Sequence, residues 1–138
     1  MSEQDNVDVV RKGYDAFGRG DIPGLLAQLD PEVEWKTPGP ADLPTAGARR
    51  GHAEIQEFFR TLSEVITIQR FEPRQFVAQG DMVMVIGDDT SRVNATGAIL
   101  EIRFAHAFTV RNGKVVAFEE YLDTSAVVTE LRSAQART

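Results

Sequence analysis

Apolar residues recur at helical spacing in the first half of the chain. The first such stretch, residues 3 to 18, predicts a helix whose apolar face consists of Val7, Val10, Tyr14 and Phe17. A second, short helix is predicted after Asp21, a good capping residue, with Leu25, Leu26 and Leu29 facing inward. The third stretch, GHAEIQEFFRTL, predicts a helix with an inner face of Ile55, Phe58, Phe59 and Leu62.

Strand patterns fill most of the remaining chain. Val33 and Trp35 alternate with charged residues, which predicts a short strand over residues 32 to 37. TPGPADLPTAG follows and is predicted to be an irregular loop, because prolines and glycines interrupt it repeatedly. From Ile66 to Leu122 the pattern is that of long β-strands, cut at QGD, NATG and RNG. TSAVVTELRSAQ predicts a closing helix.

These elements define a fold class. Helices followed by a meander of antiparallel strands predict an α+β domain, a single one spanning residues 1–138. We expect a cone-shaped barrel in which a curved sheet packs on three N-terminal helices, with a short C-terminal helix. A cone lined with Phe, Val, Leu and Trp can hold a small hydrophobic molecule.

Composition excludes several function classes. Fifteen Lys and Arg residues against 21 Asp and Glu give a net charge of −6, so a nucleic-acid partner is not expected. The chain has no cysteine and two histidines, which argues against a metal site. No apolar run is long enough to span a membrane and the first residues are polar and acidic, so we expect a cytoplasmic protein without a membrane partner.

The hairpin RFAHAFTVRNGKVVAFEEYLD carries titratable residues on an apolar face. His106 shares its side of the strand with Ile102, Phe104, Phe108 and Val110. If Val110 pairs with Lys114 around a three-residue loop, Val116, Phe118, Glu120 and Leu122 face inward and Glu120 lies diagonal to His106. If Asn112-Gly113 forms a two-residue primed turn, His106 faces Glu119 directly. We prefer the first register on apolar content, although the Asn-Gly pair is a strong signal for the second.

An imidazole beside a carboxylate in an apolar cavity suits proton transfer. Desolvation raises a carboxyl pKa and a neighbouring imidazolium opposes that shift, so such a pair can exchange a proton near neutral pH. One member would remove an acidic C–H proton next to a carbonyl, while the other, or a nearby hydroxyl, would stabilise the enolate oxygen. The alternative is a structural pair in which the two side chains satisfy one another in the core.

Further candidates share the expected inner surface. Asp89 has the parity of Val83 and Val85 and is a third candidate for catalysis. The Tyr14 hydroxyl needs a partner if it is buried, either the ligand or a backbone carbonyl. The expected substrate-binding residues are Tyr14, Trp35, Thr37, Phe58, Phe104, Phe108 and Phe118.

Three segments, YDAFGRGDIPGLLAQLDPEVEW, RRGHAEIQEFF and HAFTVRNGKVVAFEEYLD, resemble the SnoaL-like branch of the nuclear transport factor 2-like superfamily. That branch includes polyketide cyclases, and ketosteroid isomerase and limonene epoxide hydrolase are relatives. The resemblance runs from about Val7 to Val128. It implies a cone-shaped α+β barrel with a pocket and no cofactor, usually a homodimer through the outer face of the sheet.

The resemblance gives different expectations for each relative. His106 with Glu120 is similar to the histidine and acid of the cyclases. The general base of the isomerase would fall at Thr37 and its oxyanion tyrosine at Gly13, with Tyr14 one position out of step, which argues against steroid isomerisation. On strand 82 to 93 the positions that match the hydrolase are Gly87 and Asp89, without its arginine, which argues against epoxide hydrolysis.

Three functions are consistent with these residues. The first is a small cofactor-independent enzyme that cyclises or isomerises a hydrophobic carbonyl compound by general acid–base catalysis. The second is a non-catalytic protein of the same fold that binds a hydrophobic ligand. The third is a structural or dimerising protein whose cone is filled by its own bulky side chains.

Overall fold

The computed structural model describes residues 2–136. In that part of the chain, three helices precede the four strands of the meander and one helix follows them. In chain order the elements are α1 (Glu3–Gly18), α2 (Ile22–Leu26), β1 (Leu29–Thr37), β2 (Gly47–Arg50), α3 (Gly51–Val65), β3 (Ile66–Gln79), β4 (Met82–Val93), β5 (Ile99–Arg111), β6 (Lys114–Leu122) and α4 (Ser125–Ala136).

Side-chain caps determine where the first two helices begin. The Ser2 hydroxyl accepts a hydrogen bond from the Asp5 amide at 3.0 Å, and the Asp5 carboxylate accepts one from the Ser2 amide at 3.0 Å. This reciprocal pair satisfies two donors that a helix start leaves free. Asp21 accepts from the Gly24 amide at 2.9 Å and so starts α2, as the sequence predicts.

The prediction that Leu29 faces inward from the second helix is wrong. That helix ends at Leu26, and Leu29 begins β1, where it is buried and pairs with Val115. The strand register shifts between Leu29 and Glu34, around Pro31, which has no amide hydrogen to give to the ladder. β1 starts at Leu29, three residues before the start at residue 32 that its apolar alternation predicts.

The sheet has six strands in the order β2-β1-β6-β5-β4-β3. Neighbouring strands are antiparallel, except that β1 runs parallel to β6. The short strand β2 pairs with β1 and was not predicted, since its residues follow the proline-rich loop without apolar alternation. Within residues 2–136 the sheet is curved but not closed, so its edges are β2 and β3.

Two clusters of apolar residues hold the helices against the sheet. The larger cluster joins α1 and α3 to the inner face of the sheet and contains Val10, Val33, Ile55, Val83, Val85 and Val110 among its most buried members. The smaller cluster joins α4 to the loop before β2 and contains Leu43, Val93, Leu100, Leu131 and Ala134. The space between the two clusters is where a site can form.

Gly87 occupies a position on β4 where no side chain fits. A Cβ atom there would overlap the Glu72 carbonyl oxygen and lie 2.5 Å from Phe104 Cζ. We expect Gly87→Ala to lower the free energy of unfolding by about 1–3 kcal/mol, because the neighbouring strand and ring must shift. Gly18→Ala is the matched control, since nothing lies within 4 Å of a Cβ at Gly18. Urea midpoints that match for the two variants would contradict this account.

Candidate active site

The turn between β5 and β6 combines features of both predicted registers. Asn112 and Gly113 have φ values of 52° and 76° and form a two-residue turn flanked by Arg111 and Lys114. The three-residue loop favoured by apolar content is therefore wrong. Val110 pairs with Val115, and not with Lys114.

A bulge restores the inner face that apolar content predicts. Val110 pairs with Val115 but Thr109 pairs with Ala117, so one extra residue, Val116, sits on β6. Val115 is buried where Val116 was expected, and beyond the bulge Phe118 and Glu120 point inward. As a result His106 faces Glu120 directly, where the preferred register had placed Glu120 diagonally. Glu119 pairs with Ala107 on the opposite face of the sheet.

Tyr14, His106 and Glu120 form one hydrogen-bonded chain. His106 Nε2 lies 2.9 Å from Glu120 Oε2, and His106 Nδ1 lies 2.7 Å from the Tyr14 hydroxyl. A carboxylate can only accept, so Nε2 carries a hydrogen. Nδ1 can then accept from the Tyr14 hydroxyl or, in the doubly protonated ring, donate to it. The chain can exist in two states that differ by one proton on Nδ1.

Aromatic rings surround the imidazole. His106 is 4% exposed and stacks on Phe104 with ring centroids 4.1 Å apart. Phe118 and Phe108 meet the imidazole edge to face and complete the enclosure, with ring centroids 4.8 and 6.1 Å from that of His106. These rings exclude water, so the interactions of His106 with Glu120 and Tyr14 act in a medium of low dielectric constant.

The Tyr14 hydroxyl is held in its protonated form. Burial raises the pKa of this phenol far above its ordinary value, and the nearby negative charge of Glu120 adds to the shift. Tyr14 therefore acts as a hydrogen-bond donor, and the sequence correctly indicated that its hydroxyl needs a partner. That partner is His106 on β5, an alternative to the ligand or backbone carbonyl that we expected.

Asp89 is a second inward carboxyl group near this chain. Burial raises its pKa above the ordinary range of aspartate, while the hydrogen bond from the Ser91 hydroxyl, at 2.5 Å, opposes the shift. The charge of Glu120 also raises the pKa of Asp89, and that of His106 lowers it. A carboxylate whose pKa is raised in this way is a stronger base once it loses its proton.

The predicted site residues come together around one cavity of about 160 Å³. Its wall contains all ten of them, namely Tyr14, Trp35, Thr37, Phe58, Asp89, Phe104, His106, Phe108, Phe118 and Glu120. An apolar cavity of about 150 Å³ can hold benzene, so this one holds a single ring without rearrangement. The third hypothesis, a cone filled by its own side chains, predicts no such space.

Sequence reasoning missed several residues of the wall. Phe71 on β3 stacks on Phe104 at 5.0 Å and meets the Tyr14 ring at 5.8 Å. Phe59 on α3 meets Trp35 at 5.7 Å. Phe59 was predicted to be on the inner face of its helix, which is the signal that could have added it. For Phe71 no such signal exists, because β3 shows little apolar alternation.

The loop between β1 and β2 covers one end of the cavity. Its residues Pro38, Gly39, Leu43 and Thr45 line the wall. Arg132 on α4 holds the loop through two bonds of 3.1 Å to the Asp42 carboxylate. The Thr37 hydroxyl donates to the Thr45 carbonyl oxygen. Thr37 thus anchors the loop, and its only hydroxyl hydrogen is already used.

Neither a metal-binding cluster nor a membrane-spanning helix is found among the described residues. Between residues 2 and 136, no group of three or more His, Cys, Asp or Glu side chains is placed to hold a metal ion. No helix in that range is both long enough and apolar enough to cross a membrane. His52 lies outside the cavity wall, with Nε2 2.9 Å from the Leu29 carbonyl oxygen.

Comparison with known proteins places this geometry in a family. The family model of the SnoaL-like domain matches residues 10–118. The chain belongs to the SnoaL-like family. Uncharacterized protein Rv0034 of Mycobacterium tuberculosis is 27% identical to this SnoaL-like chain over 139 residues, which cover 91% of this chain and 95% of that protein.

Solved structures share the NTF2-like fold of this SnoaL-like protein. An NTF2-like protein from Burkholderia xenovorans LB400 is 43% identical, with a TM-score of 0.84 over 94% of this chain and 97% of that one. TerC, crystallised with polyporic acid, is 32% identical, with a TM-score of 0.85 over 93% of this chain and 98% of that one. The predicted α+β cone, with helices against a curved and mostly antiparallel sheet, is confirmed.

Proposed function

We propose that this protein is a cofactor-independent enzyme that cyclises or isomerises a small hydrophobic carbonyl compound by general acid–base catalysis. One observation supports this most strongly. The Tyr14–His106–Glu120 chain and the carboxyl group of Asp89 are the titratable groups in the wall of an otherwise largely apolar cavity. Burial raises the pKa values of Tyr14 and Asp89, and groups with such raised pKa values in a cavity wall are typical of acid–base sites.

In the proposed mechanism Asp89 is the base and Tyr14 is the oxyanion donor. The Asp89 carboxylate takes a proton from the carbon next to the substrate carbonyl, and the electrons of that C–H bond move to the carbonyl oxygen. When His106 is doubly protonated, Nδ1–H donates to the Tyr14 oxygen, and the Tyr14 hydroxyl donates to the enolate oxygen. In this mechanism Glu120 keeps the charge on His106 balanced.

The enolate then has two outcomes, which define the reaction. In an isomerisation, protonated Asp89 returns its proton to a different carbon of the substrate. In a cyclisation, the enolate carbon attacks a second carbonyl carbon of the same molecule, and the new alkoxide takes the proton. Both outcomes need the same first step, so that step is the one to measure.

Deuterium uptake detects the first step without knowledge of the product. The protein would be incubated in D2O with a panel of small cyclic ketones that each carry a C–H bond next to the carbonyl. We expect proton NMR to show catalysed loss of a C–H signal next to a carbonyl in at least one compound. If no compound of the panel takes up deuterium faster with the protein than in buffer alone, the result counts against the proposed enzyme activity.

A non-catalytic binding protein is the second candidate, and one observation favours it. In the neutral state of His106, Tyr14 gives its hydrogen to Nδ1, and Thr37 gives its hydrogen to Thr45. The cavity then offers a ligand few free donors. This candidate predicts that ligand affinity survives Glu120→Gln and that no compound takes up deuterium.

We also propose that the protein forms a homodimer through the outer face of the sheet, as the family resemblance implies. Large exposed apolar side chains lie on that face, namely Val77, Met82, Ile86, Ile99 and Tyr121. Large exposed apolar areas often mark protein interfaces. Ile86→Glu is expected to convert the dimer to a monomer in analytical ultracentrifugation. A native protein that sediments as a monomer at high concentration would contradict the proposal.

A further inference from the structure

Trp35 has a buried donor that no other group uses. The Trp35 side chain is in the cavity wall and is 5% exposed. Its indole Nε1 is shielded from solvent and, among residues 2–136, has no hydrogen-bond acceptor. No other buried side-chain nitrogen or oxygen in this part of the chain is left in that condition. Buried polar groups nearly always have a partner, so this exception needs an explanation.

The surroundings of Trp35 do not provide that partner. Its ring stacks on Phe118 with centroids 3.9 Å apart and meets Phe59 at 5.7 Å and Phe58 at 6.3 Å. A bound water molecule would need about two to four polar contacts, which these rings do not supply. An indole N–H can only donate. An acceptor atom of a ligand in the cavity would supply the missing partner.

The strand register places Trp35 and the proton-transfer groups at neighbouring positions along the inner face of the sheet. Trp35 on β1 is opposite Phe118 on β6, and Glu120 is two residues further along the same face. Two residues of a strand span about 7 Å. The Phe118 ring, which stacks on Trp35, also meets the His106 ring at 4.8 Å. A planar ring can bridge this distance and present an oxygen at each end.

We propose that the Trp35 N–H binds a second oxygen of the substrate, on the side of the ring opposite the reacting carbonyl. The substrate class is therefore a planar ring with two oxygen functions, and the second oxygen is a hydrogen-bond acceptor. The assignment of the reacting end rests on the proposed function. The Trp35 contact itself does not, because it requires binding only.

Two ligands of the same shape separate the contact from simple filling of the cavity. One is 1,4-diacetylbenzene, and the other is 4-isopropenylacetophenone, in which a C=CH2 group replaces one C=O group. Trp35 is the only tryptophan of the chain, so its indole N–H gives one assigned signal in a proton–nitrogen NMR spectrum. We expect the diketone to move that proton downfield and to bind about tenfold more tightly than its analogue.

Trp35→Phe keeps an aromatic ring and removes the donor. In this variant we expect the two ligands to bind with equal affinity, after circular dichroism has shown that the variant is folded. A preference for the diketone that survives Trp35→Phe would overturn the proposal, as would failure of both ligands to bind. The proposal would also be overturned if the chemical shift of the indole proton did not change with the diketone but did change in Phe59→Leu. The N–H would then donate to the face of the Phe59 ring.

The same samples separate this inference from the proposed function. Deuterium uptake by the diketone is measured beside its affinity. A Trp35-dependent affinity without uptake leaves the donor contact standing and counts against the enzyme. Uptake with no dependence of affinity on Trp35 supports the enzyme and rejects the contact.

Discussion

Replacing His106 by alanine is expected to slow deuterium uptake by about 100- to 10,000-fold, the range that a positioned acid–base group contributes. The variant loses the ring whose Nδ1–H donates to the Tyr14 oxygen, so the Tyr14 hydroxyl is no longer directed at the enolate oxygen. NMR exchange rates in D2O measure the loss directly. His52→Gln is the matched control, because His52 lies outside the cavity wall, and its rate is expected to equal that of the native protein.

Tyr14→Phe separates a role in hydrogen-bond donation to the enolate from a role in packing. It keeps the ring contacts with Phe71 and Phe108 and removes only the hydroxyl that lies 2.7 Å from His106 Nδ1. If the residues act as one unit, the double variant with His106→Ala is expected to be about as slow as His106→Ala alone. If instead the two single variants lose activity independently, so that their effects multiply in the double variant, Tyr14 and His106 do not act as one hydrogen-bonded unit.

Replacing Asp89 by asparagine is expected to reduce activity and increase stability at the same time. The exchange rate is expected to fall by about 100- to 10,000-fold, since the base is lost. In the native protein, the rate of proton abstraction should rise with pH through the pKa of Asp89, which burial holds above the ordinary aspartate range. The variant should lose that rise.

The stability effect of Asp89→Asn depends on pH with a defined sign. Because the pKa of Asp89 is higher in the folded than in the unfolded state, its contribution to stability is fully present below the unfolded pKa. That contribution is lost as pH rises through the folded pKa. Urea unfolding should therefore show a larger advantage of the variant at pH 7 than at pH 3. An advantage that is equal at both pH values would contradict the assigned direction.

Local sequence signals predicted the elements that have local causes. The Ser2 and Asp5 cap, the Asp21 cap and the alternation along β5 needed no information from elsewhere in the chain. The hairpin register could not be predicted, because Asn112-Gly113 and Phe118 favour pairings of opposite parity. The bulge at Val116 allows both the Asn-Gly turn and an inward Phe118. Strict alternation of apolar and polar residues assumes that no residue is extra, so it could not predict the bulge.

The chemistry of the site depends on contacts between distant parts of the chain. His106 and Glu120 are on one hairpin, so the sequence could bring them together. Tyr14 is 92 residues from His106, and its position on α1 gave no indication that its hydroxyl would reach the imidazole. The resemblance had set Tyr14 one position out of step with the tyrosine of the isomerase. The unpaired Trp35 N–H is visible only once the rings around it are in place.

The nitrogen-15 spectrum of the His106 ring tests the central claim most directly. At neutral pH we expect Nε2 to be protonated and bound to Glu120. Glu120→Gln should change the chemical shift of Nε2, and Tyr14→Phe should change the chemical shift of Nδ1. His52→Gln assigns the signals, since the chain has two histidines. A ring protonated on Nδ1 alone would mean that the Tyr14–His106–Glu120 chain does not form. Ring nitrogen shifts that neither variant changes would mean the same.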